Sequence, residues 1–444
     1  MTKQKGSNTI AIGFMLFALF FGAGNLIFPV MMGQLSGTNS WEANLGFVVT
    51  GVGLPLLGVL AFGFSGSSDL QSLASRVHPI FGVVFTVALY LAIGPLFAIP
   101  RTGSVSYETG IKPLLGGTDS AIPLLIFTII FFAVTLFFSL NASKIVDIVG
   151  KILTPMLLLF IGVLIVVAVM NPMGEFQAPT ANYEANSFFT GFKEGYLTMD
   201  TLASFVFGII VINAVKQRGA KTKKAVMANT AKAGLIAAAL LAIIYTSLTF
   251  IGATSVENLG YLENGGQVLS GIANHYFGSF GGVLLGLIVI AACLTTSIGL
   301  VTACASYFSK LMPKISYKKF AVILSVFSAV VANIGLAELI AISVPVLTAI
   351  YPLAICLIFL TFLHRFFQGK SEVYFGSMLF TFIVSFFDGL NAAGIEVQAV
   401  NDLFSVLPLY SVGLGWVVPA IVGGLLAYPL SFMKKAETAK EQIN

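Results

Sequence analysis

Apolar residues in this chain gather in long, nearly unbroken runs, such as Leu124 to Phe138 and Leu153 to Val169, with no alternation of polar and apolar positions. A run of about 20 such residues wound as a helix matches the thickness of a bilayer's hydrocarbon core, whereas a transmembrane barrel would need period-two alternation. The pattern predicts spans at Thr9 to Met31, Ala43 to Phe64, Ile80 to Ile99, Ile122 to Leu140, Ile145 to Val169 and Phe188 to Val215. Six more follow at Met227 to Ala253, Ser279 to Met312, Phe320 to Asn333, Glu338 to Phe362, Val373 to Leu390 and Val412 to Phe432. The fold class is therefore an all-α integral membrane protein of about twelve transmembrane helices. The longest polar connections, Asn171 to Ser187 and Thr254 to Gly278, are short and broken by Gly and Pro, so no separate soluble domain is expected.

Composition agrees, because 57% hydrophobic against 9% charged residues could not stay dispersed in water. The basic residues fix an expected orientation. With the N-terminus in the cytoplasm, Lys216, Arg218, Lys221, Lys223, Lys224, Lys310, Lys314, Lys318, Lys319, Lys434, Lys435 and Lys440 all fall inside. Only Arg101, Lys112 and Lys193 then point outward, leaving 20 of the 23 Lys and Arg cytoplasmic. Both termini are expected inside. The net charge of +5 follows from topology, and no nucleic-acid partner is implied. No small-residue cleavage site precedes the first apolar run, so no removable signal peptide is expected.

Enzyme chemistry finds little support. Cys293, Cys304 and Cys356 lie in apolar spans without paired spacing and read as packing residues, and His78, His275 and His364 lie far apart with no HExxH or Ser/His/Asp pattern. Asp388 reads as a span-end carboxylate. Nothing matches GxxxxGK[ST], so transport would be driven by an ion gradient rather than by ATP.

Two spans are interrupted where a helix should continue. The first carries Gly22-Ala23-Gly24-Asn25 roughly 20 Å along its length, and the sixth carries Gly195-Tyr196-Leu197-Thr198-Met199-Asp200-Thr201. A carboxylate at a helix centre costs at least about 2.5 kcal/mol on insertion scales, so Asp200 demands a purpose. The two broken spans stand five apart and run in opposite directions, the signature of an inverted repeat of spans one to five by six to ten, with two helices appended. Each break frees amides at one half-helix end and carbonyls at the other, which suits a zwitterion or a solute with a coupling ion. In the longest span, Cys293-Leu294-Thr295-Thr296-Ser297 places adjacent hydroxyls at mid-depth, where they could complete an oxygen cage or hydrogen-bond their own backbone.

Together, Gly22 to Pro29, Gly94-Pro95-Leu96-Phe97-Ala98-Ile99-Pro100-Arg101-Thr102 and Gly195 to Asp200 resemble the bacterial branched-chain amino acid:cation symporters, from the first span to the last. The resemblance implies uptake of leucine, isoleucine and valine with sodium, at a bacterial inner membrane, by the five-plus-five inverted-repeat fold also found in neurotransmitter:sodium symporters. One residue fewer separates Asn25 from Phe28-Pro29 than in that wider group. By likeness, Ala23 and Gly24 would offer amides to the substrate carboxylate. Thr296 and Ser297 would give hydroxyls to a sodium site, and Ala18 and Phe21 carbonyls. Cys293 joins this candidate ion set. Proximity to the breaks adds Phe20, Gly22, Asn25, Tyr90, Met199, Asp200, Thr201, Ser204 and Phe205 to the substrate set, with Phe20, Phe21, Phe205 and Tyr90 as the walls around its side chain.

Asp200 could be an ammonium partner, an ion ligand, a proton acceptor or a cap on a half-helix beginning near Leu202. Arg101 is expected at the outer boundary as an interfacial anchor, with an outer-gate pairing as the alternative. The first repeat is expected over 1–171, the second over 172–366, and the appended helices and tail over 367–444. The reading is a secondary active symporter working by alternating access, with a proton-coupled carrier of another small hydrophobic amino acid or zwitterion as the alternative. A channel would need polar residues along a whole path, and here they cluster at mid-depth.

Overall fold

The computed structural model describes residues 2–67, 69–116, 121–140 and 145–441, with side chains for these except 2–8, 145–154, 157 and 433–441. Lys434, Lys435 and Lys440 thus lie outside the described side chains. Among the described residues the regular structure is all helix, without a strand. The first span is α1 (Thr2–Phe20) and α2 (Ala23–Ser36); the second is α3 (Ser40–Val48) and α4 (Leu54–Ser65), joined by a π-helical turn. After the short α5 (Leu70–Ala74), α6 (Pro79–Leu91) and α7 (Ala98–Ser106) make the third, α8 (Ala121–Ser139) the fourth and α9 (Ile145–Met170) the fifth. A one-turn α10 (Ala181–Glu184) leads to the sixth, α11 (Ser187–Glu194) and α12 (Asp200–Gln217). Then come α13 (Lys223–Leu259), α14 (Gly265–Leu311), α15 (Tyr317–Ala332), α16 (Leu336–Leu363), α17 (Ser371–Ala392), a short α18 (Gln398–Phe404) and α19 (Val417–Glu441). Each expected span falls on one of these helices or on a broken pair, and the last begins at Val417 instead of Val412.

Two expectations need correction. Thr254 to Gly278 is not a polar loop: α13 runs on to Leu259, and α14 opens at Gly265. The Asn264 side chain accepts from the amides of Gly266 and Gln267 at 3.0 and 3.1 Å, capping a helix that the nearby glycines had disguised. The backbone breaks only at Gly278, with φ 60°. The third span does not end at Ile99 either. Gly94 leaves helical geometry at φ −100° and ψ −126°, Pro95 brings no N–H to the gap, and the chain then winds on through α7 and a π-helical turn at Tyr107–Ile111. Arg101 therefore sits inside the span.

The chain packs as two compact units. The first comprises Met1–Val52, Tyr90–Asp200 and Ala233–Ser343, and the second Gly53–Leu89, Thr201–Lys232 and Val344–Asn444. Within the first, α2 lies backbone to backbone on α13: a Cβ on Gly33 would stand 2.1 Å from the Thr249 carbonyl. Such contact between helices, open only to glycine, replaces the hydrophobic driving force that lipid cannot supply. On α8, Ile122, Ile126, Ile129 and Ile130 are exposed while Thr128, Thr135 and Ser139 are buried, the inside-out arrangement of a helix whose outer solvent is hydrocarbon. Within the second unit, α17 and α19 meet through Gly376, whose Cβ would stand 2.4 Å from the Gly423 carbonyl. Eight helices among the described residues are long and apolar enough to cross a membrane, and shorter apolar helices accompany them. The protein is a multi-pass membrane protein.

Candidate functional site

The first break is held open by its own sequence. Helix α1 stops at Phe20, Gly22 is extended at φ −122° and ψ −164°, and α2 restarts at Ala23. The Gly22 N–H, which would otherwise close onto the Ala18 carbonyl, donates instead to Asn25 Oδ1 at 2.9 Å. As the third residue of α2, Asn25 acts as the returning half of a capping box. The Ala23 and Gly24 amides fall in the first turn, where a helix offers its N–H groups no partner of its own.

The second break lies between α11 and α12. Residues Gly195–Thr198 form a single 3-10 turn, Met199 turns left-handed at φ 62°, and α12 begins at Asp200 itself. Only glycine fits at 195, since a Cβ there would stand 1.9 Å from Thr50 Oγ1. The Asp200 N–H donates to Thr198 Oγ1 at 3.3 Å.

Asn25 joins the two breaks. Its Nδ2 donates to Asp200 Oδ2 at 2.6 Å and also to the Tyr245 hydroxyl, which itself donates to Asp200 Oδ2 at 3.1 Å. All three side chains are buried. The Asn25 amide thus spends its oxygen on one break and its nitrogen on the other, while Asp200 is gripped by residues of two other spans. A cap on a half-helix beginning near Leu202 is not its geometry, because α12 already contains it.

Arg101 faces the same region. It is 2% exposed, donates through Nη1 to the Leu197 carbonyl and through Nη2 to Ser343 Oγ at 3.3 Å, and lies over the Phe28 ring, 4.9 Å from its centroid. The expected interfacial anchor is therefore wrong, because the guanidinium is packed in protein between α2, the second break and α16.

Opposite the first break stands α14. Thr296 Oγ1 and Cγ2 lie 3.4 Å from the point a Cβ on Gly22 would occupy. The Thr296 hydroxyl donates to the Ala292 carbonyl at 3.2 Å, and Ser297 Oγ accepts from the Thr135 hydroxyl at 3.3 Å. A hydroxyl that donates its proton to the backbone still has lone pairs to offer, so the intrahelical bond and an oxygen cage are compatible. The Cys293 thiol pairs with Ser106.

Residues 5–434 match the model of the family described as branched-chain amino acid transport protein. The chain belongs to that family. Among curated relatives, a branched-chain amino acid permease of Bacillus subtilis, BrnQ, is 61% identical over 97% of this chain and 98% of its own length. The branched-chain amino acid transport system 2 carrier protein of Pseudomonas aeruginosa is 44% identical over 96% of this chain and 97% of its own. These relatives are named as permeases and carriers, not as enzymes. Among solved structures, MhsT in complex with L-phenylalanine aligns with a TM-score of 0.57 at 16% identity, covering 95% of this chain and 98% of its own. Mhp1, a nucleobase-cation-symport-1 family transporter, aligns with a TM-score of 0.61 at 15% identity, covering 97% and 93%. Those two likenesses give the fold, which agrees with the inverted-repeat expectation.

The expected residues divide by unit. Gly22, Ala23, Gly24, Asn25, Asp200, Thr296 and Ser297 gather in the first unit, with Ala18, Phe20, Phe21 and Met199 beside the breaks. Phe21 stacks on Phe17 at 4.9 Å. Tyr90 lies flat on Tyr307, with ring centroids 4.2 Å apart. Thr201, Ser204 and Phe205 belong to the second unit. There Ser204 Oγ donates to the Thr201 carbonyl at 2.6 Å, and Phe205 meets Phe62 edge-on at 6.4 Å. Sequence reasoning missed Arg101 as a central residue, and Tyr245 entirely. For the one, the expected span ends at Ile99, two residues short of it. For the other, a single tyrosine in an apolar run carries no signal beyond packing.

Proposed function

We propose that this protein is a secondary active carrier of leucine, isoleucine and valine, coupled to sodium and working by alternating access in a bacterial inner membrane, with both termini cytoplasmic. The observation that supports it most is the Asn25 bridge, which sets a half-helix N-terminus and a buried carboxylate at one polar centre. A half-helix start favours an anion, a carboxylate favours a cation, and a zwitterionic amino acid carries both. The names of the relatives supply the substrate class.

For the coupling ion, the donor set beside the first break suits sodium. The carbonyls of Ala18 and Phe21 and the hydroxyls of Thr296 and Ser297 are neutral, hard oxygen donors, the kind that hard cations prefer. Thr296→Ala and Ser297→Ala should each raise the sodium concentration needed for half-maximal uptake at least about tenfold, as expected for losing one bond to a charged group. Their leucine affinity at saturating sodium should change less than about threefold. Uptake by both variants with the original sodium dependence would remove these residues from the ion site.

A proton-coupled carrier is the second reading, and Asp200 favours it, since a buried carboxylate with a tyrosine hydroxyl on it is a proton-accepting arrangement. Imposing sodium and proton gradients separately on proteoliposomes decides between them. Sodium-driven accumulation of labelled leucine without a pH gradient supports the first reading. Accumulation driven by a pH gradient alone supports the second.

A further inference from the structure

We propose that Arg101 binds the carboxylate of the substrate. The proposal rests on the reading above, that the central site takes α-amino acids, and deepens it by naming the group that recognises one end of them.

The third span would be ordinary had it ended with its apolar run at Ile99. Instead the kink at Gly94 lets it continue, and the continuation buries a guanidinium within the first unit. Intramembrane arginines are rare, and those facing a bundle interior mark ligand pathways. The Arg101 head is held from several sides: its face lies on the Phe28 ring, Nη1 on the Leu197 carbonyl within the second break, and Nη2 on the Ser343 hydroxyl. That support fixes where the charge stands. It stands at the start of α2, for Nη1 is 3.6 Å from the position a Cβ on Gly24 would take. A full positive charge therefore stands beside the helix start that carries the partial positive charge of the Ala23 and Gly24 amides, and both favour an anion held there.

Guanidinium is the group best shaped for this task. Its five N–H donors form a planar fork matching a carboxylate, so the same head can brace the framework and hold a ligand. The negative pole of the centre lies elsewhere, on Asp200, tied to Asn25 and Tyr245. Arg101 with the α2 amides for the carboxylate, and Asp200 for the ammonium, give the two ends of a zwitterion different groups to meet. The first break alone would leave the carboxylate to backbone dipoles. With Arg101 it meets a formal charge.

The test compares leucine with leucinamide, which keeps the ammonium and the side chain but replaces the carboxylate with a neutral amide. Binding is measured on purified protein by displacement of labelled leucine, for the unaltered chain, Arg101→Gln and Arg101→Lys. The unaltered protein should prefer leucine by about 100-fold or more. Arg101→Gln should lose about 10- to 100-fold in leucine affinity, as expected for a bond to a charged group, and less than about threefold in leucinamide affinity. Arg101→Lys, which keeps the charge and loses the fork, should fall between and decides the matter if Arg101→Gln does not reach the membrane. If the substitution weakens both compounds by one factor, the preference is preserved, Arg101 only braces the second break, and the proposal is overturned. No leucine binding by the unaltered protein would sink the carrier reading together with this proposal, whereas a preserved preference in a leucine-binding protein sinks the Arg101 assignment alone.

Discussion

Asp200→Asn should lower concentrative uptake of leucine at least about tenfold while the protein still inserts and purifies normally, the scale set by losing one hydrogen bond to a charged group. The carboxylate accepts from Asn25 Nδ2 at 2.6 Å and from Tyr245 at 3.1 Å, and an asparagine oxygen could keep one of these contacts. What it cannot keep is the charge. An ammonium or coupling ion at that centre would lose its formal partner, and the new NH2 would face donors on Asn25 and Tyr245. A purely structural Asp200 predicts a different pattern, in which thermal stability falls and uptake per folded molecule stays near normal. Measuring uptake against membrane abundance separates the two, and near-normal uptake would retire the charged role.

Gly24→Val should abolish uptake outright. A Cβ at this position would stand 3.0 Å from Phe28 Cε2 and 3.6 Å from Arg101 Nη1, before any branch is added. The two γ-carbons of valine would push the Phe28 ring off the guanidinium, oppose the turn at the break and cover the Ala23 and Gly24 amides. Gly24→Ala adds only the Cβ, against the edge of a ring that can shift by a few tenths of an ångström, and should keep a measurable fraction of uptake. The expected order is glycine, then alanine, then nothing for valine, at equal membrane abundance. Full uptake by a well-inserted Gly24→Val protein would contradict the broken-helix site.

What could be read in the sequence is what the bilayer enforces locally. Hydrocarbon demands runs of about 20 apolar residues, so the spans were legible from composition along the chain. Polar residues in mid-run are costly, so Gly22 to Asn25 and Gly195 to Asp200 announced themselves as breaks. The rest depends on what other spans place opposite. Arg101 looked peripheral because it stands roughly 30 Å along the third span, just past the expected end at Ile99, yet neighbouring helices and π-turns re-satisfy the backbone and the helix runs on. Tyr245 matters only because α13 presents it to Asp200, a juxtaposition 45 residues apart in the chain. Ser204 and Phe205 stood near the second break in sequence, but α12 turns them into the second unit, Phe205 against Phe62. Gln267 and its neighbours read as loop until Asn264 is seen capping their amides.

On the proposed function, the polar centre at the two breaks takes a zwitterionic amino acid with an apolar side chain. Uptake of labelled isoleucine by proteoliposomes at fixed sodium and pH, against a panel of unlabelled amino acids, tests this. One methylene in an apolar site is worth about 1 to 3 kcal/mol, so leucine, isoleucine and valine should compete within roughly 200-fold of one another. Glutamate and lysine should not compete, because an unpaired charge in an apolar site costs far more than the remaining contacts return. Strong inhibition by glutamate or lysine with weak inhibition by valine, or no isoleucine uptake under any gradient, would contradict the account.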